Sequence, residues 1–199
     1  MSHYFTAEDE RLKSKPELIH FVIRDTAFSL TSDAGVFSKK GLDHGTRVLL
    51  KAISVPRGTR LLDLGCGYGP IGITLAKLDE AIVLMSDVNR RALTLAAANA
   101  KANDVPCETI ESDGFAKIEG HFDVIVSNPP IRTGKETIYR LFAEAKEHLT
   151  EFGILYLVIN KNQGANSAIN YLSTLFPHVD VIDKSGGFYV IRCRIALTI

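Results

Sequence analysis

The stretch LLDLGCGYGPIG, Leu61 to Gly72, decides how the chain is read. It opens as a short apolar strand and runs into glycines at 65, 67, 69 and 72, with Pro70 where a helix would begin. Glycines after a strand let the backbone turn sharply and let a ligand approach it closely at the mouth of the next helix. Through Gly67, Gly69 and Gly72 the spacing also satisfies the dinucleotide pattern, which alone discriminates little. Asp63 separates the readings. A carboxylate two residues before the first glycine would repel a pyrophosphate held in that loop. The same carboxylate suits a ligand carrying an ammonium group, such as the methionine part of S-adenosylmethionine (SAM).

Downstream the chain alternates β-rich runs with helical ones. AIVLMSD (81–87), a weaker run around CETIES (107–112), FDVIVSN (122–128) and GILYLVIN (153–160) read as strands. PIGITLAKL (70–78), NRRALTLAAANAKAND (89–104), KETIYRLFAEAKEHL (135–149) and a segment near 165–176 read as helices,. The strands are nearly continuous apolar runs, the mark of a parallel sheet covered on both faces. The end differs, because in HVDVIDKSGGFYVIRCRIAL two strand-like runs flank a KSGG turn, which predicts an antiparallel hairpin at the sheet edge,. Near the start, HFVIRDTAFSLTS predicts a small hairpin and GLDHGTRVLLKAI a lead-in helix. The expected fold class is α/β: a Rossmann-like sandwich on a mostly parallel seven-stranded sheet. Residues 1–199 are expected to form one domain, with hairpin and lead-in helix over 1–55 and the ligand-binding core over 56–199.

Composition narrows the classes of function. Of the 199 residues 46% are hydrophobic and 23% charged, with no net charge, so no global basic field advertises a nucleic-acid partner,. Three scattered cysteines, Cys66, Cys107 and Cys193, form neither a CxxC pair nor a zinc-spaced cluster, so no metal and no disulfide framework are expected,. The polar N-terminus MSHYFTAEDERLKSK and the absence of a long apolar run point to the cytoplasm and away from a membrane,.

Two further acids end successive strands. Asp87 is placed to take ribose hydroxyls, and Asp113 to accept from an adenine amino group, with Phe115 beside it to stack on the ring. A turn or cap role explains any one of these acids, but the series across three strand ends favours a SAM-binding sheet. The fourth strand ends in SNPP, Ser127 to Pro130. Asn128 offers an amide oxygen, and Pro129 and Pro130 offer carbonyls without N–H donors. Such an acceptor array suits an amine whose lone pair is delocalised, because it holds two N–H bonds and stabilises the positive charge that develops on attack. The competing reading is a proline-rich turn with Asn128 as a local cap.

The set LDLGCGYGPIG, SDVN, SDGF and SNPP resembles the class I SAM-dependent methyltransferases that modify amino nitrogens. The lead-in GVFSKKGLDHGTRVLL and the loop SNPPIRTGK narrow the resemblance to the bacterial small-subunit ribosomal RNA guanine-N2 methyltransferases and their large-subunit relatives. The resemblance runs from about Tyr4 to Arg194. It implies that Asn128, Pro129 and Pro130 hold the target amine. It further implies that Asp63, Gly65, Cys66, Gly67, Asp87, Val88, Asp113, Gly114, Phe115 and Asn128 surround SAM, with Phe37 and Thr46 lining the pocket from the lead-in. Ile131, Arg132 and Lys135 would meet the substrate, joined at the rim by Arg140 and Lys161. The implied partner is ribosomal RNA or the small subunit, and the chain itself a monomer or homodimer.

Two departures stand out. Ile131 takes the place of the aromatic that usually follows NPP and would stack on a flipped-out base; Phe37 and Tyr68 are candidate replacements. Family members also often carry an additional N-terminal domain, so substrate docking is expected to come from elsewhere. Methylation of a glutamine amide in a release factor, methylation of adenine N6, and a non-catalytic SAM-binding module remain as alternatives. An NAD-dependent dehydrogenase is opposed by Asp63.

Overall fold

The glycine-loop strand lies at the middle of the sheet, which places its C-terminal end at the point where the strand order reverses. The computed structural model describes residues 13–36 and 41–197, with the side chain of Arg132 left aside. The sheet is built from β3 (Arg60–Leu64), β4 (Ile82–Asp87), β5 (Cys107–Glu111), β6 (Phe122–Ser127), β7 (Leu149–Asn160), β8 (His178–Ser185) and β9 (Phe188–Arg194). Its order is β5-β4-β3-β6-β7-β9-β8. The first five strands in that order run parallel, and β9 pairs antiparallel with both β7 and β8. The expected mostly parallel seven-stranded sheet with a C-terminal antiparallel hairpin is therefore present. The hairpin is inserted with its second strand inward, leaving β8 at the edge.

Helices α1 (His44–Ala52), α2 (Pro70–Asp79) and α3 (Arg90–Ala102) cover one face, and α4 (Lys135–Glu147) and α5 (Ala165–Leu175) the other. Strands buried on both sides favour apolar residues: Leu61, Leu62, Ile125, Val126, Leu157, Val158 and Ile191 are all essentially inaccessible,. β7 begins at Leu149, earlier than its apolar run suggests, because Leu149 pairs with Phe122 before the register shifts.

A separate hairpin of β1 (Glu17–Ile23) and β2 (Thr26–Ser32) packs on the α3 side through Ile19, Phe21, Phe28 and Leu30. Two asparagines of α3 tie it down. Asn99 Oδ1 accepts from the Thr31 N–H at 2.8 Å, and its Nδ2 donates to the carbonyls of Thr31 and Tyr68, both at 2.9 Å. Asn103 Nδ2 donates to the Ser29 carbonyl at 3.1 Å. A side chain thus completes the edge of β2 and fixes the glycine loop at Tyr68 at the same time. The chain after β2 is held over the start of α3, where Arg91 donates to the Ala34 carbonyl and Asn89 to that of Gly35. No helix among the described residues is long and apolar enough to cross a membrane.

Candidate active site

The four glycines of the loop divide into two pairs. Gly65 and Gly67 have φ of +73° and +57°, and a Cβ on either would meet only open space. They supply the turn and leave room in front of the backbone. At Gly69 and Gly72 a Cβ would come within 2.9 Å of Ile73 and of Met85 respectively, so these two let α2 close onto the sheet. Pro70 occupies the first turn of α2, where its missing N–H is not needed,.

Beneath this loop Asp63 is fully buried. One carboxylate oxygen accepts from the Gly72 N–H at 2.8 Å, and Oδ1 has no partner among the described residues. Burial pushes the carboxyl up to about 7; the Gly72 hydrogen bond opposes the rise and the Asp87 charge adds to it. A buried carboxylate with a spare oxygen, under an open glycine turn, fits a ligand that brings its own ammonium group. Cys66 is buried in the same loop, where burial and the charges of Asp63 and Asp87 raise its thiol far out of the reactive range,.

Asp87 ends β4 and builds the loop before it meets any ligand. Its two oxygens accept from the N–H groups of Gly67 and Asn89, each at 2.9 Å. Each oxygen keeps a second lone pair for a ribose hydroxyl. Asp87 and Gly65 line a small open cleft together with Val88, Asp113, Gly114 and Pro130.

Four expectations change here. Asp113 lies at the cleft, but its side chain is 74% exposed and paired with Arg140 at 3.1 Å. Arg140 also bonds Glu144 at 3.2 Å, so it stands as an internal partner rather than a free rim cation. Phe115 is not a stacking face: its ring is buried with Ile118 and Leu141 and lies 4.5 Å from the ring of His148. The adenine stacking assigned to it is withdrawn, because the turn after β5 directs the ring into the core. Tyr68, a candidate replacement for the aromatic after NPP, is 2% exposed and offers no face. Phe37 and the Arg132 side chain lie outside the described residues.

At the end of β6 the backbone turns tightly. Pro129 is buried, and its carbonyl accepts from the Ile131 N–H at 2.9 Å, leaving one lone pair. The Pro130 carbonyl accepts from both the N–H and the hydroxyl of Thr133, at 2.9 Å each. Both its lone pairs are used, so Pro130 lines the cleft with its ring but is not a third acceptor. Asn128 is half-buried, and its Nδ2 donates to Asp43 Oδ2 at 2.9 Å and to Thr46 Oγ1 at 3.0 Å. Thr46, expected to line the pocket, meets Asn128 without lining the cleft, and Asp43 was not expected at the site. Asp43 is the N-cap of α1, where Oδ2 also accepts from the Thr46 N–H at 2.9 Å. An Asp immediately before a helical run is a legible cap signal, but its second bond spans 85 residues and has no local signature,. Ile131 packs on the core rather than standing free, and Lys135 is exposed at the start of α4, where the helix dipole disfavours a cation,. No cluster of three metal-ligating side chains occurs among the described residues.

Asp63 also predicts a pH dependence. Its folded value lies above the ordinary 3.8, so the folded chain holds an extra proton between about pH 4 and 7, and the stability due to that proton is lost as pH rises through that window,. An ammonium ligand favours the ionised form. Affinity for SAM is expected to strengthen as pH rises from 5.5 towards 7, by up to about tenfold per unit, and to level off above. Calorimetric titration across this range tests it, and Asp63→Asn should flatten the profile.

Comparison with known proteins shows the family. The family model described as the methyltransferase small domain matches residues 27–192. The uncharacterized Bacillus subtilis protein YbxB is 41% identical over 98% of the chain and 99% of its own length. A Haemophilus influenzae ribosomal RNA small subunit methyltransferase C is 38% identical over 78% of the chain but only 48% of its own length. The chain thus spans about half the length of that relative. Among solved structures, a T. thermophilus 16S rRNA N2 methyltransferase in complex with AdoMet and guanosine superposes with a TM-score of 0.82 at 24% identity, over 92% of the chain and 51% of that one.

Proposed function

The chain belongs to the methyltransferase small domain family, and from that premise we propose that it methylates the exocyclic N2 amine of a guanine in ribosomal RNA. SAM is the cofactor, and Asp63, Gly65, Gly67, Asp87 and Val88 would hold it. The chemistry supplied there by bound SAM is a methyl group carried on a sulfonium sulfur.

One observation carries the reading: Asn128 turns its NH₂ edge to Asp43 and Thr46, which leaves its oxygen as an acceptor at the strand end beside the cleft. Asn128 Oδ1 and the remaining lone pair of the Pro129 carbonyl hold the two N–H bonds of a planar amine. Fixing that nitrogen in line shortens the search for a reactive geometry. As the nitrogen attacks, both acceptors face the positive charge that grows on it. The proton is lost to solvent once the new bond has made it acidic, so a strong base is not required.

The stacking role that Ile131 leaves open is assigned here to the pair of His44 and the half-buried Phe188. His44 is exposed, with its ring 5.5 Å from that of Phe188. A Cβ on Gly45 would lie 2.8 Å from the Phe188 ring and 3.1 Å from Asp43 Oδ2, so this aromatic pair adjoins the carboxylate that holds Asn128. Phe188→Leu is expected to raise KM for RNA about tenfold, as loss of one base stack does, with SAM affinity unchanged. Steady-state kinetics measures both.

The deciding experiment follows labelled methyl from SAM into ribosomal subunits, protein-free ribosomal RNA and unmodified release factors. N2-methylguanine in RNA is the expected product. Label in protein moves the assignment to a glutamine amide. SAM binding without transfer to any of the three leaves a binding module.

A further inference from the structure

We propose that Asp43 is a positioning residue that sets which edge of the Asn128 amide faces the substrate. The inference rests on the acceptor role given to Asn128 above and extends it to a residue on another element.

A primary amide is nearly symmetric in shape, and its two edges have opposite hydrogen-bonding character. Left to a free rotor, Asn128 would present either its oxygen or its NH₂ group to an incoming amine. The NH₂ edge is useless there, because it opposes a donor with a donor. Thr46 Oγ1, at 3.0 Å from Nδ2, does not decide between the two orientations, since a hydroxyl both accepts and donates,. Asp43 does decide. A carboxylate only accepts, so the Asn128 atom 2.9 Å from Oδ2 has to be nitrogen, and the oxygen has to point away from α1,. No donor among the described residues engages Asn128 Oδ1, which leaves it open for the target N–H.

The same Oδ2 accepts from the Thr46 N–H at 2.9 Å. Asp43 itself is thereby held by the first turn of α1, and the amide is registered against a rigid helix rather than a loop. The lead-in helix is held on the core by Val48, Leu49 and Leu50, and its first turn meets the β6 turn. Its N-terminus reaches across 85 residues of chain to orient one side chain.

Capping and orienting separate by side-chain length. Asp43→Ser keeps an N-cap of equal quality but is too short to reach Asn128. Asp43→Asn keeps a carbonyl oxygen where Oδ2 stands, able to serve both donors. Thermal melting should find both variants folded within a few degrees of the wild type, with SAM affinity within about threefold. With guanine-bearing RNA, Asp43→Ser should lower kcat about 100-fold, the scale of one lost preorganised group. Asp43→Asn should recover kcat to within about fivefold of the wild type. On an Asn128→Ala background, Asp43→Ser should add no further loss.

Equal losses in kcat for the Ser and Asn variants would overturn the proposal in favour of a charge effect. So would full activity in Asp43→Ser, or a parallel fall in melting temperature, SAM affinity and kcat, which marks a structural role. A readout independent of any methyl acceptor separates this inference from the guanine assignment. In NMR of the SAM-bound protein, the Asn128 side-chain NH₂ protons should exchange slowly with water in the wild type and in Asp43→Asn, and quickly in Asp43→Ser. That pattern supports the lock even if RNA is not the acceptor. Fast exchange in the wild type refutes it whatever the substrate.

Discussion

Asn128→Ala is expected to lower kcat for methyl transfer about 10³-fold, close to 4 kcal/mol of transition-state stabilisation, while SAM affinity stays within about threefold. The side chain is half-buried, and its hydrogen bonds among the described residues go to Asp43 and Thr46 across the α1–β6 junction. Removing it leaves the Asp43 cap on Thr46 intact, so melting temperature should change little. Single-turnover kinetics at saturating SAM reads the chemical step directly. Asn128→Asp is expected to fail as badly for a different reason. It supplies oxygens on both edges, but sets a second carboxylate about 3 Å from Asp43, where two negative charges do not coexist,. One of the pair would take up a proton or swing away, and the acceptor would be lost with it. A retained tenth of activity in Asn128→Ala would show that the amine is held elsewhere.

The second large effect concerns stability. Asn99→Ala is expected to cost about 3–5 kcal/mol, because it strips partners from three backbone groups at once: the Thr31 N–H, the Thr31 carbonyl and the Tyr68 carbonyl,. Asn99 is 3% exposed, so water does not readily replace it. Urea denaturation should show a lower midpoint at unchanged slope. SAM affinity should weaken too, since the bond to Tyr68 is one of the ties on the glycine loop. A loss below about 1 kcal/mol would mean that the hairpin and loop hold their positions by packing alone.

What was legible in the sequence follows from the range of the forces involved. The β3–α2 turn declares itself because positive φ and close packing both demand glycine within a dozen consecutive residues. The strands around it are readable because burial on both faces makes them nearly continuous apolar runs up to their C-terminal ends,. Asp87 and Asn128 were legible as strand-end polar residues, since an apolar run that stops at Asp or Asn has few other reasons to do so. The direction of a side chain in an irregular turn has no such pattern. Phe115 follows Asp113 by two residues, yet its ring enters the core beside His148, a partner 33 positions away. The used lone pairs of Pro130 depend on Thr133 completing a 3-10 turn, and the amide orientation of Asn128 on a carboxylate from the first quarter of the chain. The first and last are contacts between elements and the Pro130 bonds are a detail of one irregular turn, and a single sequence gives none of them a period to reveal it.

The placement of β9 between β7 and β8 bears on how the protein is made. β9 follows β8 in the chain, yet it fills the interior slot between β7 and β8. Until residues 188–194 emerge, β7 presents an open edge and β8 has nothing to pair with. The glycine-loop half, from β3 to β5, relies on neighbours already synthesised and can condense on the growing chain. The half that carries the NPP turn cannot close until residues 188–194 are made. In the interval the exposed β7 edge is the surface that needs protection from pairing with another chain.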